Sequence, residues 1–176
     1  MFKLLIPRLY VESVFDLQPE LLKNMGIRAL ILDLDNTLVT RGEERAEPRI
    51  LKWLESLRQN GFKLCIVSNN SRSKGGRLAS TLGLPGVFRA VKPRGRPFRK
   101  ALALLGTRPA ETAMVGDQLF TDVLGGNRLG LYTILVSSLG GPDFIMTRLI
   151  IRRIERLLLP WIKAQSSLAA GRESGG

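Results

Sequence analysis

Residues 29–38 constrain the fold of this chain more than any other stretch. Their sequence, ALILDLDNTL, places four apolar residues directly before Asp33 and Asp35. An apolar run this short is typical of a strand buried on both faces of a parallel sheet, with the two acids at its carboxyl end. Open α/β sheets bind their ligands at that end. Because two adjacent acids raise each other's pKa, we expect a compensating divalent metal; the alternative is a strand that runs into an Asx turn.

The composition limits the chemistry available around these acids. The 176 residues suffice for one α/β domain, and they include no histidine and one cysteine, Cys65. Nucleophilic machinery built on histidine, zinc sites of His or Cys, and an intrachain disulfide are therefore excluded. Carboxylates, hydroxyls, lysines and arginines remain. The net charge of +12 predicts an anionic partner, which could be nucleic acid, an anionic membrane face or a phosphorylated substrate.

No stretch of the sequence predicts export or a membrane span. The apolar patch within residues 1–8 is too short for the core of a signal peptide. The longest uncharged stretch, residues 129–142, is too short and too rich in glycine and serine to cross a bilayer. We therefore expect a cytoplasmic protein that, where it meets a membrane, lies peripherally on the inner face.

Strands and helices alternate along most of the chain. Strands are predicted for the run before Asp33 and for residues 62–67, 87–91, 112–115 and 131–136. Helices are predicted for residues 17–25, 48–60 and 71–82, and for segments ending at 105 and 128. This alternation predicts right-handed βαβ crossovers and a Rossmann-like α/β fold with a central parallel sheet.

Four of the predicted strands are followed by side chains that suit phosphoryl transfer. These are Asp33 and Asp35, Ser68, Lys92, and Asp117 with Asp122. Because the carboxyl ends of parallel strands share one edge, we expect these side chains to converge. One carboxylate can attack phosphorus while another acid protonates the leaving oxygen and later activates water. A hydroxyl and an ammonium can hold the phosphoryl oxygens, and a further acid lets a magnesium ion bind.

These strings resemble the motifs of the haloacid dehalogenase (HAD) superfamily of phosphatases. Motif I is similar to DLDNT at residues 33–37, motif II to Ser68, motif III to Lys92-Pro93, and motif IV to the segment from Gly116-Asp117 to Asp122. The fuller strings at residues 67–70 and 116–128 are most similar to the YqeG-like subgroup of HAD subfamily IIIA. That subgroup includes phosphatidylglycerophosphate phosphatases. The resemblance covers roughly residues 7–160.

The resemblance implies a capless three-layer HAD fold and a magnesium-dependent phosphatase that forms an aspartyl phosphate. It implies Asp33 as the nucleophile and Asp35 as the general acid/base. The implied phosphate-binding residues are Ser68, Asn69 and Lys92. The implied magnesium ligands are Asp33, Asp35 through its backbone carbonyl, Asp117 directly, and Asp122, which would bind through water or instead orient Lys92. Two alternatives stay open, because Asn69 could instead brace its loop and Asp122 could cap a helix.

The spacing of the motifs bears on the substrate. Only about twenty to thirty residues separate successive motifs, which leaves no room for a cap domain, so we expect an open site. An open site suits a phosphate on a large partner, and we expect phosphatidylglycerophosphate at an anionic membrane surface, facing the basic residues 92–100. No nucleic acid is expected, since no basic stretch is interleaved with aromatic residues. The alternatives are a phosphatase of protein or nucleic-acid ends and a non-catalytic binding protein on the same fold.

The C-terminal part differs in kind from the rest of the chain. Residues 144–159 predict an amphipathic helix whose arginines, Arg148, Arg152, Arg153 and Arg156, share one side. This helix either packs on the sheet with its arginines in solvent or binds a membrane or a partner. We expect residues 1–163 to form a single domain and the Ser-, Ala- and Gly-rich residues 164–176 to be disordered.

Overall fold

The strands form one parallel sheet, seen here in a computed structural model that describes residues 2–139. They are β1 (Leu9–Val11), β2 (Ala29–Leu32), β3 (Lys63–Val67), β4 (Gly86–Val87), β5 (Thr112–Gly116) and β6 (Tyr132–Val136). Their spatial order is β1-β6-β5-β2-β3-β4, and every neighbouring pair is parallel. The strand that carries Asp33 at its end therefore lies inside the sheet, between β5 and β3.

Five helices connect these strands. They are α1 (Pro19–Asn24), α2 (Pro48–Gln59), α3 (Arg72–Thr81), α4 (Gly95–Leu105) and α5 (Leu124–Arg128). A single π-helical turn, Leu119–Val123, leads into α5, and short 3-10 turns occur at Phe2–Leu5, Val14–Asp16 and Pro109–Glu111. The predicted Rossmann-like α/β fold with a central parallel sheet is confirmed.

The apolar run of β2 is buried because both faces of the sheet are covered. Successive residues of a strand point to opposite faces. Leu30 and Leu32 join a core that includes side chains of α1, α2 and α3, whereas Ala29 and Ile31 join a second core built on α4. All four side chains are fully buried. Two independent cores thus hold β2, and with it the start of the acidic loop, in place.

The sequence analysis missed β1. This strand has only three residues, all half-buried, and it pairs with β6 at the edge of the sheet, Leu9 opposite Ile134. A strand this short shows no alternation of apolar and polar residues, and its extended conformation depends on a partner more than 120 residues away in the sequence.

Two predicted boundaries were also wrong. The strand predicted over residues 87–91 ends at Val87, because Arg89 and Val91 have φ values of 50° and 53° and leave the extended conformation. The first helix begins at Pro19 instead of residue 17. Asp16, which the sequence also suggests as the cap of this helix, accepts a hydrogen bond from the backbone N–H of Ser13 at 2.9 Å.

The predicted helix over residues 144–159 and the predicted disordered tail over residues 164–176 lie outside the described residues. The single domain over residues 1–163 accordingly stays a prediction. Within residues 2–139, no helix is long and apolar enough to cross a membrane.

Close packing of α5 against the sheet predicts opposite effects for two helical glycines. A Cβ at Gly126 would lie 2.7 Å from Cγ2 of Thr133 and 3.2 Å from Cβ of Met114. Gly126→Ala should therefore lower the free energy of unfolding by about 1–3 kcal/mol, as overpacking does. Gly76→Ala in α3 is the matched control, because its new Cβ would lie 3.9 Å from the nearest atom.

Urea unfolding of the two variants measures both effects. Gly76→Ala should stabilise the protein by about 0.5–1 kcal/mol, since alanine favours a helix interior over glycine. Changes of the same sign in both variants would contradict this packing of α5.

Candidate active site

The structure brings most of the predicted polar residues to the carboxyl edge of the sheet. Asp33 follows β2, Ser68 follows β3, Lys92 lies in the loop after β4, and Asp117 follows β5. These four side chains and that of Asp122 are buried, although they are polar or charged. Of the remaining predicted residues, Asp35 is half-buried and Asn69 is exposed.

Lys92 lies at the centre of the cluster. Its Nζ donates hydrogen bonds of 2.6 Å to Oδ1 of Asp33 and of 2.6 Å to Oδ1 of Asp122. The lysine side chain is only 2% exposed, and those of its two partners are 3% and 0% exposed. Burial alone lowers the pKa of Lys92, but the charges of Asp122 and Asp33 raise it above its ordinary value. Lys92 therefore stays positively charged in the interior.

Three buried acids surround one lysine, and the pKa values of all three are raised. Burial, followed by the charge of Asp122, raises the pKa of Asp33 to about 7, although Lys92 opposes the shift. Burial and the charge of Asp33 raise the pKa of Asp117 to about 6. Burial also raises the pKa of Asp122, again against Lys92. The cluster is thus short of positive charge at neutral pH.

The loops after β3 and β4 are joined at Lys92. The side-chain oxygen of Asn69 accepts a 2.9 Å hydrogen bond from the backbone N–H of Lys92. The carbonyl of Ser68 accepts one of 3.1 Å from Ala90. Asn69 thereby braces the loop of the lysine, which leaves its amide NH₂ as the group that could contact a phosphate.

The hydroxyl of Ser68 is oriented by its own loop. Its Oγ accepts a 3.1 Å hydrogen bond from the backbone N–H of Asn70. A hydroxyl that accepts through its oxygen still has its proton to donate. Ser68 can therefore offer that proton to an anionic oxygen at the strand ends.

A sharp turn after Asp33 positions Asp35. Asn36 adopts a φ of 57°, which asparagine tolerates better than most residues. Its backbone N–H donates to the carbonyl of Val39 at 2.7 Å, and its side-chain oxygen accepts from Arg41 at 3.0 Å. Asn36 thus fixes the loop that carries Asp35 beside, and not inside, the buried cluster.

Asp122 belongs to the cluster and does not cap a helix. It lies within the π-helical turn, where its Oδ2 accepts a 3.2 Å hydrogen bond from the backbone of Gln118 while Oδ1 binds Lys92. A Cβ at Gly116 would collide with this carboxylate. Sequence reasoning treated Gly116 only as part of a motif and missed that its lack of a side chain makes room for Asp122.

Three of the acids could hold a metal ion. Asp33, Asp117 and Asp122 each offer a carboxylate oxygen within 4.8 Å of the others. Oδ1 of Asp117 is buried and has no hydrogen-bond partner among the described residues. An all-oxygen set with one unsatisfied carboxylate suits a hard cation such as magnesium. The side chain of Asp35 is not part of this group. The resemblance implies its backbone carbonyl as the ligand, and that role stays a prediction.

Comparison with known proteins identifies the family of this chain. The family profile of the haloacid dehalogenase-like hydrolases matches residues 40–130. "Probable phosphatase YqeG" of Bacillus subtilis is 37% identical over 166 residues, which cover 94% of this chain and 96% of that protein. The fold and the site therefore define a hydrolase, and the chain belongs to the haloacid dehalogenase-like family. With this relative, the predicted class of enzyme, a HAD-type phosphatase, is confirmed.

Two further similarities are more partial. "Phosphatidylglycerophosphate phosphatase 1, chloroplastic/mitochondrial" of Arabidopsis thaliana is 27% identical over 170 residues, and the alignment spans 90% of this chain but only 48% of that protein. Among solved structures, the cobalt-bound deoxy-D-mannose-octulosonate 8-phosphate phosphatase of Haemophilus influenzae has a TM-score of 0.53 at 17% identity, over 65% of this chain and 70% of that one. The structural likeness supports the fold alone.

The raised pKa of Asp33 predicts that Asp33→Asn stabilises the metal-free protein at alkaline pH. The folded pKa of about 7 lies above the ordinary 3.8, so between these values the folded state binds more protons than the unfolded state. The free energy of unfolding then falls as pH rises through this window. An amide avoids this loss, and the gain should be larger at pH 8 than at pH 5, on the order of 1–4 kcal/mol.

Chemical unfolding in EDTA at the two pH values measures this gain. Glu20→Gln, on the surface of α1, controls for the change in net charge. A gain for Asp33→Asn that is the same at pH 5 and pH 8 would show that the charge of Asp33 does not strain the folded protein.

Proposed function

We propose that this protein is a magnesium-dependent phosphatase that hydrolyses a phosphate monoester through an aspartyl phosphate on Asp33. The observation that carries the proposal is the buried cluster of three carboxylates around one ammonium. A structural ion pair needs one acid, whereas this site keeps three acids with raised pKa values at the edge where α/β proteins bind ligands.

In the first step an oxygen of Asp33 attacks phosphorus and the bond from phosphorus to the leaving oxygen breaks. Asp35, held half-exposed beside the cluster, gives its proton to that oxygen, and the alcohol departs. Lys92, the hydroxyl of Ser68 and the amide NH₂ of Asn69 hold the phosphoryl oxygens as negative charge develops.

In the second step water hydrolyses the aspartyl phosphate. The carboxylate of Asp35 takes a proton from the water, whose oxygen attacks phosphorus, and the bond to Asp33 breaks. Inorganic phosphate leaves and both acids return to their starting state. Magnesium held by Asp33, Asp117, Asp122 and the backbone carbonyl of Asp35 would supply positive charge that screens the carboxylates from the phosphate.

The substrate we propose is phosphatidylglycerophosphate, with phosphatidylglycerol as the product. The Arabidopsis relative supports this choice by its name, although the present chain spans about half of that protein. Within residues 33–122, the connections between the strands consist of single helices and loops, and no cap domain is inserted. A site with no cap domain inserted among these residues can reach a phosphate that is part of a membrane, and we propose with it a peripheral location at an anionic inner membrane face.

Phosphate release from short-chain phosphatidylglycerophosphate tests this function. With magnesium the wild-type protein should release phosphate faster from this lipid than from glycerol 3-phosphate or from a 5′-phosphorylated oligonucleotide. EDTA should abolish the activity. Asp33→Asn should fall below about one-thousandth of the wild-type rate, because the nucleophile is lost. A faster reaction with the oligonucleotide end would contradict the lipid substrate, and normal turnover by Asp33→Asn would contradict the mechanism.

The two roles of Asp35 predict a burst in the variant Asp35→Asn. p-Nitrophenyl phosphate has a leaving group that needs no proton, so this variant should still form the aspartyl phosphate but hydrolyse it slowly. Stopped-flow absorbance should then show about one equivalent of p-nitrophenolate per site, followed by a slow phase. Loss of the burst together with the steady rate would contradict the acid/base roles of Asp35, because it would show that its carboxylate is already needed to form the aspartyl phosphate.

A further inference from the structure

The positive charge of this protein is concentrated in one part of the sequence. Between Glu55 and Glu111 there is no acidic residue, but there are twelve lysines and arginines. This segment contains β3, α3, β4 and α4, which form one lateral end of the sheet and half of the loops around the candidate active site. The field of the protein is therefore strongly positive beside Lys92.

Part of this charge surrounds a cavity of about 330 Å³ at the loop of Lys92. We define the basic rim as five residues that line this cavity: Arg89, Val91, Arg94, Arg96 and Lys100. Arg94, Arg96 and Lys100 are exposed. Within residues 2–139 none of the four rim cations forms a salt bridge. Their charges are thus not balanced by acids of the same part of the chain.

Within residues 2–139, neither the backbone conformation nor the burial of Val91 favours a valine. Its φ of 53° lies in the left-handed region, which is strained for a β-branched residue. Its side chain is 55% exposed, so burial does not offset the strain. Glycine or asparagine would suit this backbone better. A residue that is unfavourable for the fold and points outward is expected to contact something outside the molecule.

The start of α4 carries charges that are unfavourable at the N-terminus of a helix. Arg94 occupies the N-cap position, Arg96 lies in the first turn, and no acid is present there. A cation at the N-terminus of a helix is unfavourable, because that end of the helix dipole is positive. Two unfavourable features within six residues of one loop mark that loop as functional rather than structural.

A second exposed apolar side chain lies in the π-helical turn that carries Asp122. The side chain of Phe120 is 60% exposed, and Phe120 lies two residues before Asp122. Asp122 binds Lys92, which follows Val91 in the chain. Apolar tips among unpaired cations are typical of proteins that sit in the interface of an anionic membrane. Nucleic acid would favour several exposed aromatic side chains for stacking, whereas Phe88, which also lines this cavity, is half-buried and packs against the core.

We propose that the basic rim and Phe120 form the surface by which this protein binds an anionic lipid bilayer, with the active-site edge facing the headgroups. The inference rests on the proposed function because it supplies the surface on which the lipid substrate is presented. Arg94, Arg96 and Lys100 bind headgroup phosphates, while Val91 and Phe120 enter the boundary between headgroups and acyl chains.

Vesicle co-sedimentation with the full-length protein tests the surface. The probes are vesicles of phosphatidylcholine with and without 30% phosphatidylglycerol, which contain no phosphate monoester. The triple variant Arg94→Gln/Arg96→Gln/Lys100→Gln should lose about 100-fold in affinity for the anionic vesicles. The matched control is Lys23→Gln/Arg28→Gln/Lys63→Gln, which removes the same charge from a cavity of about 350 Å³ at the opposite end of the strands. The control should lose less than about threefold.

Val91→Asn provides a test that a folding defect cannot mimic. Asparagine tolerates the left-handed backbone, so the variant should have a higher Tm while binding anionic vesicles several-fold more weakly. Turnover of p-nitrophenyl phosphate should stay near that of the wild type. A lower Tm, or unchanged vesicle binding, would overturn the role of Val91.

Separate readouts distinguish this proposal from the proposed function. Vesicle binding without turnover of phosphatidylglycerophosphate would contradict the substrate and support the surface. Equal losses of affinity in the two triple variants would show that only net charge matters, and absence of binding to anionic vesicles would reject the surface. Displacement of the protein from vesicles by a stoichiometric amount of an oligonucleotide would favour nucleic acid and would also overturn it.

Discussion

The candidate active site depends on one buried interaction, the contact of the Lys92 ammonium with the carboxylates of Asp33 and Asp122. Burying charges is costly, and a lysine between two acids is tolerated only where hydrogen bonds of good geometry replace water. Both bonds here are 2.6 Å long. The ammonium still leaves negative charge uncompensated, since Oδ1 of Asp117 is buried without a hydrogen-bond partner among the described residues. A further cation bound by the carboxylates would compensate that deficit.

Such a cluster can exist because the elements around it are held independently. The strand before Asp33 is packed into two cores on opposite faces of the sheet, and the loop of Lys92 is tied to the loop of Ser68 through Asn69. These contacts are apolar or involve backbone groups, so they do not depend on the protonation of the acids. The stable cores can therefore hold carboxylates in positions they would not take alone, which is how preorganised sites stabilise developing charge.

Sequence reasoning reached the central sheet, the helices and the class of enzyme because these depend on local patterns. The apolar run before Asp33, the periodicity of α2 and the polar residues after each strand can all be recognised from neighbours in the chain. It did not predict β1, a three-residue edge strand paired with β6. It also predicted β4 too long, because Arg89 and Val91 adopt left-handed backbone conformations. Both features depend on partners distant in sequence or on a backbone conformation that the residue type disfavours.

The sequence by itself determined which chemical groups the site could contain. With no histidine and one cysteine, it left carboxylates, hydroxyls and cations, and the parallel strands placed them at one edge. Only the tertiary structure decided which groups meet: that Lys92 bridges Asp33 and Asp122, that Gly116 makes room for Asp122, and that Asn69 holds the lysine loop. Side-chain type is a property of single residues, whereas charge compensation and burial depend on distances between residues far apart in the chain.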